Sequence, residues 1–479
     1  MTAKKRDINS INDLTNAEIE EIFSLTDEYL EMMWADRSRP QIPLRGRLRE
    51  ASGLILATLF YEPSTRTRLS FESAMIRLGG GTLGTTDSVN SSVVKGESIA
   101  DTVRVIENYA DLIVIRHKLS GAARVASEYA SIPIINGGDG THEHPTQTLC
   151  DLYTLRKELG KGQKQLRDAT VLVIGDLKHG RTVHSLVYAL ARFGVNVITM
   201  PAKGFELPET VDRRLREEYG CISLTRGEIS EVTEKLPLAQ QVYLPLTRNL
   251  EPDLFSDRLG NKISIKGVLK KIDACYVTRL QDERLLGDEG LAKDYPIIDR
   301  NFLKGKHYTH TLVLHPLPRV GELGYDLDAD PRALYFKQMA YSVPIRMALM
   351  AKVLGIRPFA SHHEKGTDEK QPAPYVQREG LRCENASCVS GAERLYLSNK
   401  FLIVGTSPVA LRCQYCDHVV HPLFAGSIGA KTYTPELESV DPTRLGSKDT
   451  VFFASEAQAK EAGFRLGSPA ARSHNSRVA

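Results

Sequence analysis

The sequence predicts an α/β protein: two consecutive units, each built on a parallel sheet, followed by a small cysteine-bearing module. Three observations predict it. Short apolar runs, GLILATLF, DLIVIR and IPIIN, alternate with stretches of helical pattern, as strands joined by helices do. A second series, ATVLVIGD, GVNVITM, DACYVT and TLVLHP, repeats the alternation further along. Past Arg357 the texture turns polar and proline-bearing, and Cys383, Cys388, Cys413 and Cys416 then cluster.

The first element is an amphipathic helix. Thr15 followed by Glu18 reads as a capping box, and Ile19, Ile22, Phe23 and Leu30 recur behind it at near-helical spacing. GLILATLF reads as a strand that Pro63 ends, and from Ser64 the residues Leu69, Met75, Ile76 and Leu78 suit a helix with one buried face. TQTLCDLYTLRKEL has helical periodicity and can run from one unit into the next. YFKQMAYSVPIRMALMAKVLGI is a helix in which Pro344 is expected to produce a kink or mark the effective start. RPFASHHEKGTDEKQPAP has the composition of a linker. The Ser-, Ala- and Arg-rich tail is expected to fray.

Bulk properties exclude several classes. With 479 residues, 42% hydrophobic and 25% charged, the chain has the composition of a large globular protein. A net charge of +3 spread over this length gives no electrostatic footprint for nucleic acid or a membrane as main partner. No apolar run reaches the roughly 20 residues that span a bilayer, and MTAKKRDINSINDL lacks the apolar core of a secretory signal. A cytoplasmic setting is expected, where clustered cysteines point to a metal before a disulfide.

The stretch FYEPSTRTRLSFESAMIRLGG carries the first functional signal. If the helix starts at Ser64, its first turn presents unpaired backbone N–H groups and the positive end of the helix dipole, an anion site. The Ser64, Thr65 and Thr67 hydroxyls and the Arg66 and Arg68 guanidinium groups add donors converging on one small volume. Phosphate is the natural occupant. VLVIGDLKHGRT could be taken for a dinucleotide-binding turn, but it lacks the G-x-G-x-x-G pattern.

PSTRTRLSFESA, SSVVKGESIADT, HEHPTQTLCDL, GDLKHGRTVHSL, VTRLQDER and HPLPR occur in this order, and together they resemble the aspartate carbamoyltransferase family over roughly Ile11 to Leu354. The resemblance implies the carbamoyltransferase fold. Its carbamoyl-phosphate-binding domain would occupy 1–147, completed by a returning helix at 332–356, and its aspartate-binding domain 148–331. A linker at 357–377 and a zinc-binding module with tail at 378–479 would follow. The implied reaction moves the carbamoyl group of carbamoyl phosphate to L-aspartate in pyrimidine biosynthesis, without an organic cofactor.

That chemistry makes three demands: grip a phosphate dianion, stabilise an oxyanion, and hold a dicarboxylate with its amine aimed at the carbonyl. The resemblance carries carbamoyl-phosphate binding onto Ser64, Thr65, Arg66, Thr67, Ser91, Lys95, Arg116, His144, Gln147, Leu317 and Pro318. Arg66, Thr67, Lys95, Arg116 and His144 are the expected catalytic groups. Arg116 falls where DLIVIR ends, at the edge where open parallel sheets place ligands. HPTQ sets His144 and Gln147 on one face of a helix starting near Pro145, whereas the adjacent His142 reads as structural. Thr67, Arg116 and His144 would polarise the carbonyl, and departing phosphate would take the amine proton. Arg181, expected in a turn, and Arg279 would each fork onto one aspartate carboxylate, with Lys95 and Gln281 assisting. The loop SSVVKGES implies a homotrimer, because in the family it reaches into the neighbouring subunit's site.

Cys383-x4-Cys388 and Cys413-x2-Cys416 form two knuckles suited to a structural, non-catalytic zinc. CENASCVS and LRCQYCDHVV resemble the zinc domain of the family's regulatory chain, here fused to the catalytic chain. The linker from Arg357 to Gln377 is too short for that chain's nucleotide-binding domain, so the expected role is contact between trimers. The segment from KTYTP to EAGFR faintly resembles another metal module lacking its cysteines. Arg181 and Arg279 stand farther apart than the family pattern, with the excess in LPLAQQVYLPLTRNLEPDLFSDRLGNKISIKG. Transfer to another amino acid, or a non-catalytic paralogue, are the alternatives.

Overall fold

The fold was obtained as a computed structural model, which describes residues 5–35, 48–85, 96–225, 241–245, 272–281, 295–360, 374–377, 380–435 and 447–467. Ser91, Lys95, most of the 357–377 linker and the end of the tail lie outside the described residues. The chain divides into two compact units, 1–118 with 126–362, and 119–125 with 363–479. Among the described residues no helix is long and apolar enough to cross a membrane.

In the larger unit, helix α1 (Asn16–Ala35) precedes a sheet of β1 (Ile55–Phe60), β2 (Gly81–Thr85), β3 (Leu112–His117) and β4 (Ile134–Asp139). The strands lie in the order β2-β1-β3-β4 and all neighbours are parallel. Helices α2 (Thr65–Leu78), α3 (Ile99–Ile106) and α4 (Ala122–Tyr129) make the crossovers. The capping box at α1 is present: Glu18 N–H donates to Thr15 Oγ1 at 3.1 Å, and Thr15 N–H to Glu18 Oε2 at 2.7 Å.

Helix α5 (Pro145–Gly160) continues without a break across the expected boundary at residue 147 into the second half. There β5 (Thr170–Gly175), α6 (Arg181–Arg192), β6 (Asn196–Pro201), α7 (Glu209–Glu217), β7 (Cys221–Thr225), β8 (Gln241–Pro245), β9 (Ala274–Val277) and β10 (Leu312–Leu314) follow. The sheet order is β10-β9-β5-β6-β8-β7. β10, β9, β5 and β6 are parallel, as expected, while β8 pairs antiparallel with β6 and β7. Part of the apparent insertion thus forms β8, a sheet strand.

Helix α8 (Tyr335–Val353) returns to the first half and packs against α1, α2 and α5. Pro344 lies inside this helix, so it does not mark the start. In α2 the buried face is Thr67, Phe71, Ala74, Met75 and Leu78, one stripe at i, i+4, i+7, i+8 and i+11. Leu69 and Ile76 fall off that stripe and are exposed, contrary to expectation.

The smaller unit holds two four-stranded sheets. β11 (Pro374–Gln377), β12 (Asn399–Thr406), β13 (Val409–Cys413) and β14 (Val419–Val420) form an antiparallel meander beside the short helix α9 (Val389–Ala392). The final four residues of the expected linker are therefore strand. Segment 119–125 belongs to this unit: Ser120 N–H donates to the Ser387 carbonyl at 2.8 Å and Val389 N–H to the Ser120 carbonyl at 2.9 Å. The second sheet, β15 (Phe424–Ser427), β16 (Thr432–Thr434), β17 (Thr450–Phe453) and β18 (Arg465–Leu466), carries helix α10 (Glu456–Glu461) and its own apolar core around Phe453 and Phe464. Among the described residues the region after the cysteines thus forms a second sheet, beyond what the sequence reading assigned to it.

Candidate active site

The first turn of α2 faces a cavity of about 320 Å³ in the larger unit. Ser64 is the N-cap, with non-helical backbone, and its hydroxyl makes no capping bond, so the first-turn N–H groups are left for a ligand. Arg66 Nη2 donates to the Leu317 carbonyl at 2.7 Å. Burial, then the charge of nearby Arg279, pulls the Arg66 pKa down, which marks a place where cations converge without enough compensating charge. Arg68 does not join the cradle. Its Nε donates to Glu72 at 2.7 Å, one turn along its own helix.

Every predicted substrate residue that is described lines this one cavity: Ser64, Thr65, Arg66, Thr67, Arg116, His144, Gln147, Arg181, Arg279, Gln281, Leu317 and Pro318. They come from six places in the chain. Arg116 is the penultimate residue of β3, and His144 is the N-cap of α5 with Pro145 at its first position. Arg181 is the first residue of α6 rather than part of a turn, which puts a third helix start at the cavity beside those of α2 and α5. Arg279 and Gln281 follow β9, and Leu317 and Pro318 follow β10.

His144 is buried, its backbone N–H donates to Ser185 Oγ at 2.9 Å, and Thr146 Oγ1 lies 3.4 Å from its Nδ1. Burial, with Arg116, Arg181 and Arg346 nearby, holds its pKa well below the usual imidazole value, so the ring is neutral near pH 7. A neutral imidazole has one N–H with which to polarise a carbonyl. His142 has the structural role the sequence suggested, its Nδ1 lying 3.1 Å from Asp139 Oδ2.

The HPLPR loop is held from behind. His315 Nδ1 accepts the Leu317 N–H at 2.8 Å, which leaves Nε2–H to donate to Glu322 Oε1 at 2.6 Å. Leu317 sits at φ +53°, a conformation side chains rarely adopt, and this bond helps maintain it. Burial would raise the Glu322 carboxyl, but the bonds from His315 and from the Gly321 N–H outweigh it and bring it down to about 2.

Sequence reasoning missed several wall residues. Glu62 reaches in beside the cradle, with its Oε2 2.8 Å from Arg181 Nη1 and 3.4 Å from Arg116 Nε. Arg346 of α8 is fully buried, donating to the Ser342 carbonyl at 3.1 Å with its guanidinium 4.9 Å from the Phe71 ring centre. The available signal was an arginine inside the otherwise apolar run YSVPIRMALM. Gly138, at φ +111°, closes the floor: a Cβ there would lie 3.0 Å from Arg116 Nη1, 3.3 Å from Arg181 Nε and 3.3 Å from His144 Cδ2.

In the smaller unit, Cys383, Cys388, Cys413 and Cys416 bring their sulfurs within 4.8 Å of one another. The Cys383–Cys416 and Cys388–Cys413 sulfur distances are 3.5 and 3.8 Å. Around one tetrahedral ion with bonds of about 2.3 Å, sulfurs stand about 3.8 Å apart, so the four thiols fit a single closed site.

Comparison with known proteins agrees with this geometry. Residues 6–157 match the carbamoyl-phosphate-binding domain of aspartate/ornithine carbamoyltransferases, 258–353 the Asp/Orn-binding domain, and 377–422 the metal-binding domain of the aspartate carbamoyltransferase regulatory chain. The second small sheet, β15 to β18, lies beyond all three. The aspartate carbamoyltransferase catalytic subunit of Thermococcus kodakarensis is 41% identical over 358 residues, 74% of this chain and 99% of that protein. That of Clostridium acetobutylicum is 40% identical over 356 residues, with the same coverage of 74% and 99%. Among solved structures, the M. jannaschii catalytic subunit aligns at TM-score 0.56 and 40% identity over 74% of this chain and 99% of that one. The Trypanosoma cruzi enzyme in complex with carbamoyl phosphate and aspartate aligns at TM-score 0.56 and 33% identity over 72% and 95%.

Proposed function

Because the chain belongs to the aspartate carbamoyltransferase family, we propose that the arginine-lined cavity is where it acts, with the roles given below. The reaction is transfer of the carbamoyl group from carbamoyl phosphate to L-aspartate, giving N-carbamoyl-L-aspartate and phosphate. The observation that carries the assignment is the convergence of Arg66, Arg116, Arg181 and Arg279 on one cavity entered by the starts of three helices.

The first turn of α2, with Ser64, Thr65, Arg66 and Thr67, grips the phosphate, and Arg116 neutralises it from β3. Thr67, Arg116 and the neutral N–H of His144 polarise the carbonyl, so the oxyanion meets donors already in place. Arg181 and Arg279 each take one carboxylate of aspartate with planar paired bonds, and Gln281 assists. The Leu317 and Pro318 carbonyls receive N–H groups of the substrates, and the phosphate accepts the proton the amine gives up. Ser91 and Lys95 would complete the site from a neighbouring copy, which makes a homotrimer the smallest working unit.

The four thiolates hold a structural zinc, supported by their spacing and by the chemistry of an all-sulfur closed set. Its place is assembly between trimers, in a cytoplasm that keeps the thiols reduced. The test of the whole reading is product formation from carbamoyl phosphate with aspartate and with ornithine, run on the native enzyme and on Arg66→Ala. Aspartate alone should be carbamoylated, and the variant should lose at least about a hundredfold in kcat while keeping its fold. Normal turnover by the variant would remove the phosphate assignment.

A further inference from the structure

Behind the cavity wall lies a buried polar cluster that none of the assigned roles uses. Asp151 in α5 is fully buried one turn after Gln147. Its Oδ1 accepts from Gln147 Nε2 at 2.7 Å and from Gln338 Nε2 in α8, and its Oδ2 accepts from Tyr276 OH in β9 at 2.8 Å.

The direction of these bonds is set by a group that has no choice. The backbone N–H of His315 can only donate, and it donates to Gln338 Oε1 at 3.2 Å. The Gln338 amide must therefore turn Nε2 toward Asp151, and Oδ1 must accept. Burial raises the Asp151 carboxyl to about 7. A proton bound there would sit on Oδ2, beside Tyr276, and leave Oδ1 an acceptor. Gln147 thus meets Asp151 through Nε2 in either protonation state. No hydrogen bond from a described residue reaches Gln147 Oε1, and Gln147 lines the cavity.

We propose that Asp151 is a positioning residue that fixes the polarity of the Gln147 amide, presenting Oε1 as an acceptor, so that the cavity selects a donor-bearing carbamoyl group over an acyl group of the same shape. This rests on the carbamoyl-phosphate reading above. Without Asp151 the Gln147 amide could turn over and present NH₂ to NH₂. The cost of an unmatched buried pair corresponds to about tenfold or more in affinity.

The test compares two probes that differ only in that group, phosphonoacetamide with its amide NH₂ and acetonylphosphonate with a methyl. Both are titrated as competitors of carbamoyl phosphate. The native enzyme should prefer the amide by at least about tenfold, and Asp151→Ala, which removes the acceptor that holds Nε2 and frees the Gln147 amide to turn over, should shrink that ratio toward one. Equal weakening of both probes in the variant would make Asp151 a scaffold residue only and overturn the proposal. If Asp151→Ala does not fold, the native ratio still decides, because equal affinities for the two probes would refute an acceptor facing the carbamoyl group. Failure of the carbamoyltransferase reading would look different: no carbamoyl-aspartate from the native enzyme, whatever the probes do.

Discussion

Glu62 and Arg181 form an ion pair of 2.8 Å across the cavity, Glu62 from the loop before α2 and Arg181 from the start of α6. The same carboxylate lies 3.4 Å from Arg116. One acidic residue therefore ties together arginines that the two halves contribute separately. In Glu62→Ala those guanidinium groups would repel without this carboxylate between them, and Arg181 would be left with its bond to the Gly140 carbonyl at 2.8 Å. The expected result is a rise of about tenfold or more in KM for aspartate, with a smaller change for carbamoyl phosphate. Steady-state kinetics on both substrates reads it, and an unchanged aspartate KM would show the pair to be incidental.

Gly138 gives a steric prediction. Its Cβ-free backbone at φ +111° lets Arg116, Arg181 and His144 approach together. Gly138→Ala adds strain in the left-handed region and pushes on all three, so activity should fall at least about a hundredfold. The melting temperature should fall too, and retention of full kcat/KM would contradict the close approach.

His144 is kept neutral by burial and by three arginines. Its replacement by Asn, which also offers a neutral N–H, should preserve more activity than replacement by Ala. Neither substitution should move the pH–rate profile around neutral pH, because no imidazolium forms there to be lost. A profile whose acid limb vanished in His144→Asn would mean that the ring titrates during turnover.

The His315–Glu322 pair predicts a stability effect with a defined sign. Glu322 is lowered to about 2 in the fold, against an ordinary value of 4.5. Its contribution is present above about pH 4.5 and is lost as the pH falls toward 2. Glu322→Gln should accordingly be less stable than the native protein at pH 6, with the gap closing on acidification. Denaturant melts across that range measure it. KM should rise as well, since the Leu317 carbonyl loses its support.

Chelating the metal from the four cysteines should unfold the meander around β13 and dissociate large assemblies before any smaller ring of subunits. Native mass measurement with and without chelator checks this. A particle of unchanged size would rule out the cysteine module as the contact that builds the larger assembly.

Local chemistry was what the sequence made legible. The first turn of α2, the strand ends near Arg116 and Arg279 and the helix start at His144 are each encoded within a dozen residues, and all line one cavity. What depended on distant packing was hidden. Glu62 looks out of place beside an anion site until Arg181, more than a hundred residues later, is seen against it. Arg68 looks like a fifth ligand-facing donor until Glu72 claims it. Strand β2, GTLGT, is too rich in glycine for an apolar run, and β8 hides inside an apparent insertion. Leu69 and Ile76 looked like core because apolar residues were counted, whereas the stripe set by Phe71, Ala74 and Leu78 decides which side faces inward.

The return of α8 onto α1, α2 and α5 has a consequence for how the protein is made. The first half cannot close its apolar core until residue 353 has left the ribosome, although its sheet is complete by residue 139. At about 5 to 20 residues per second, the gap between those two points is on the order of ten to forty seconds. Throughout that interval a finished sheet waits with part of its covering missing, so nascent chains halted between β4 and α8 should be protected by chaperones and cut readily by proteases.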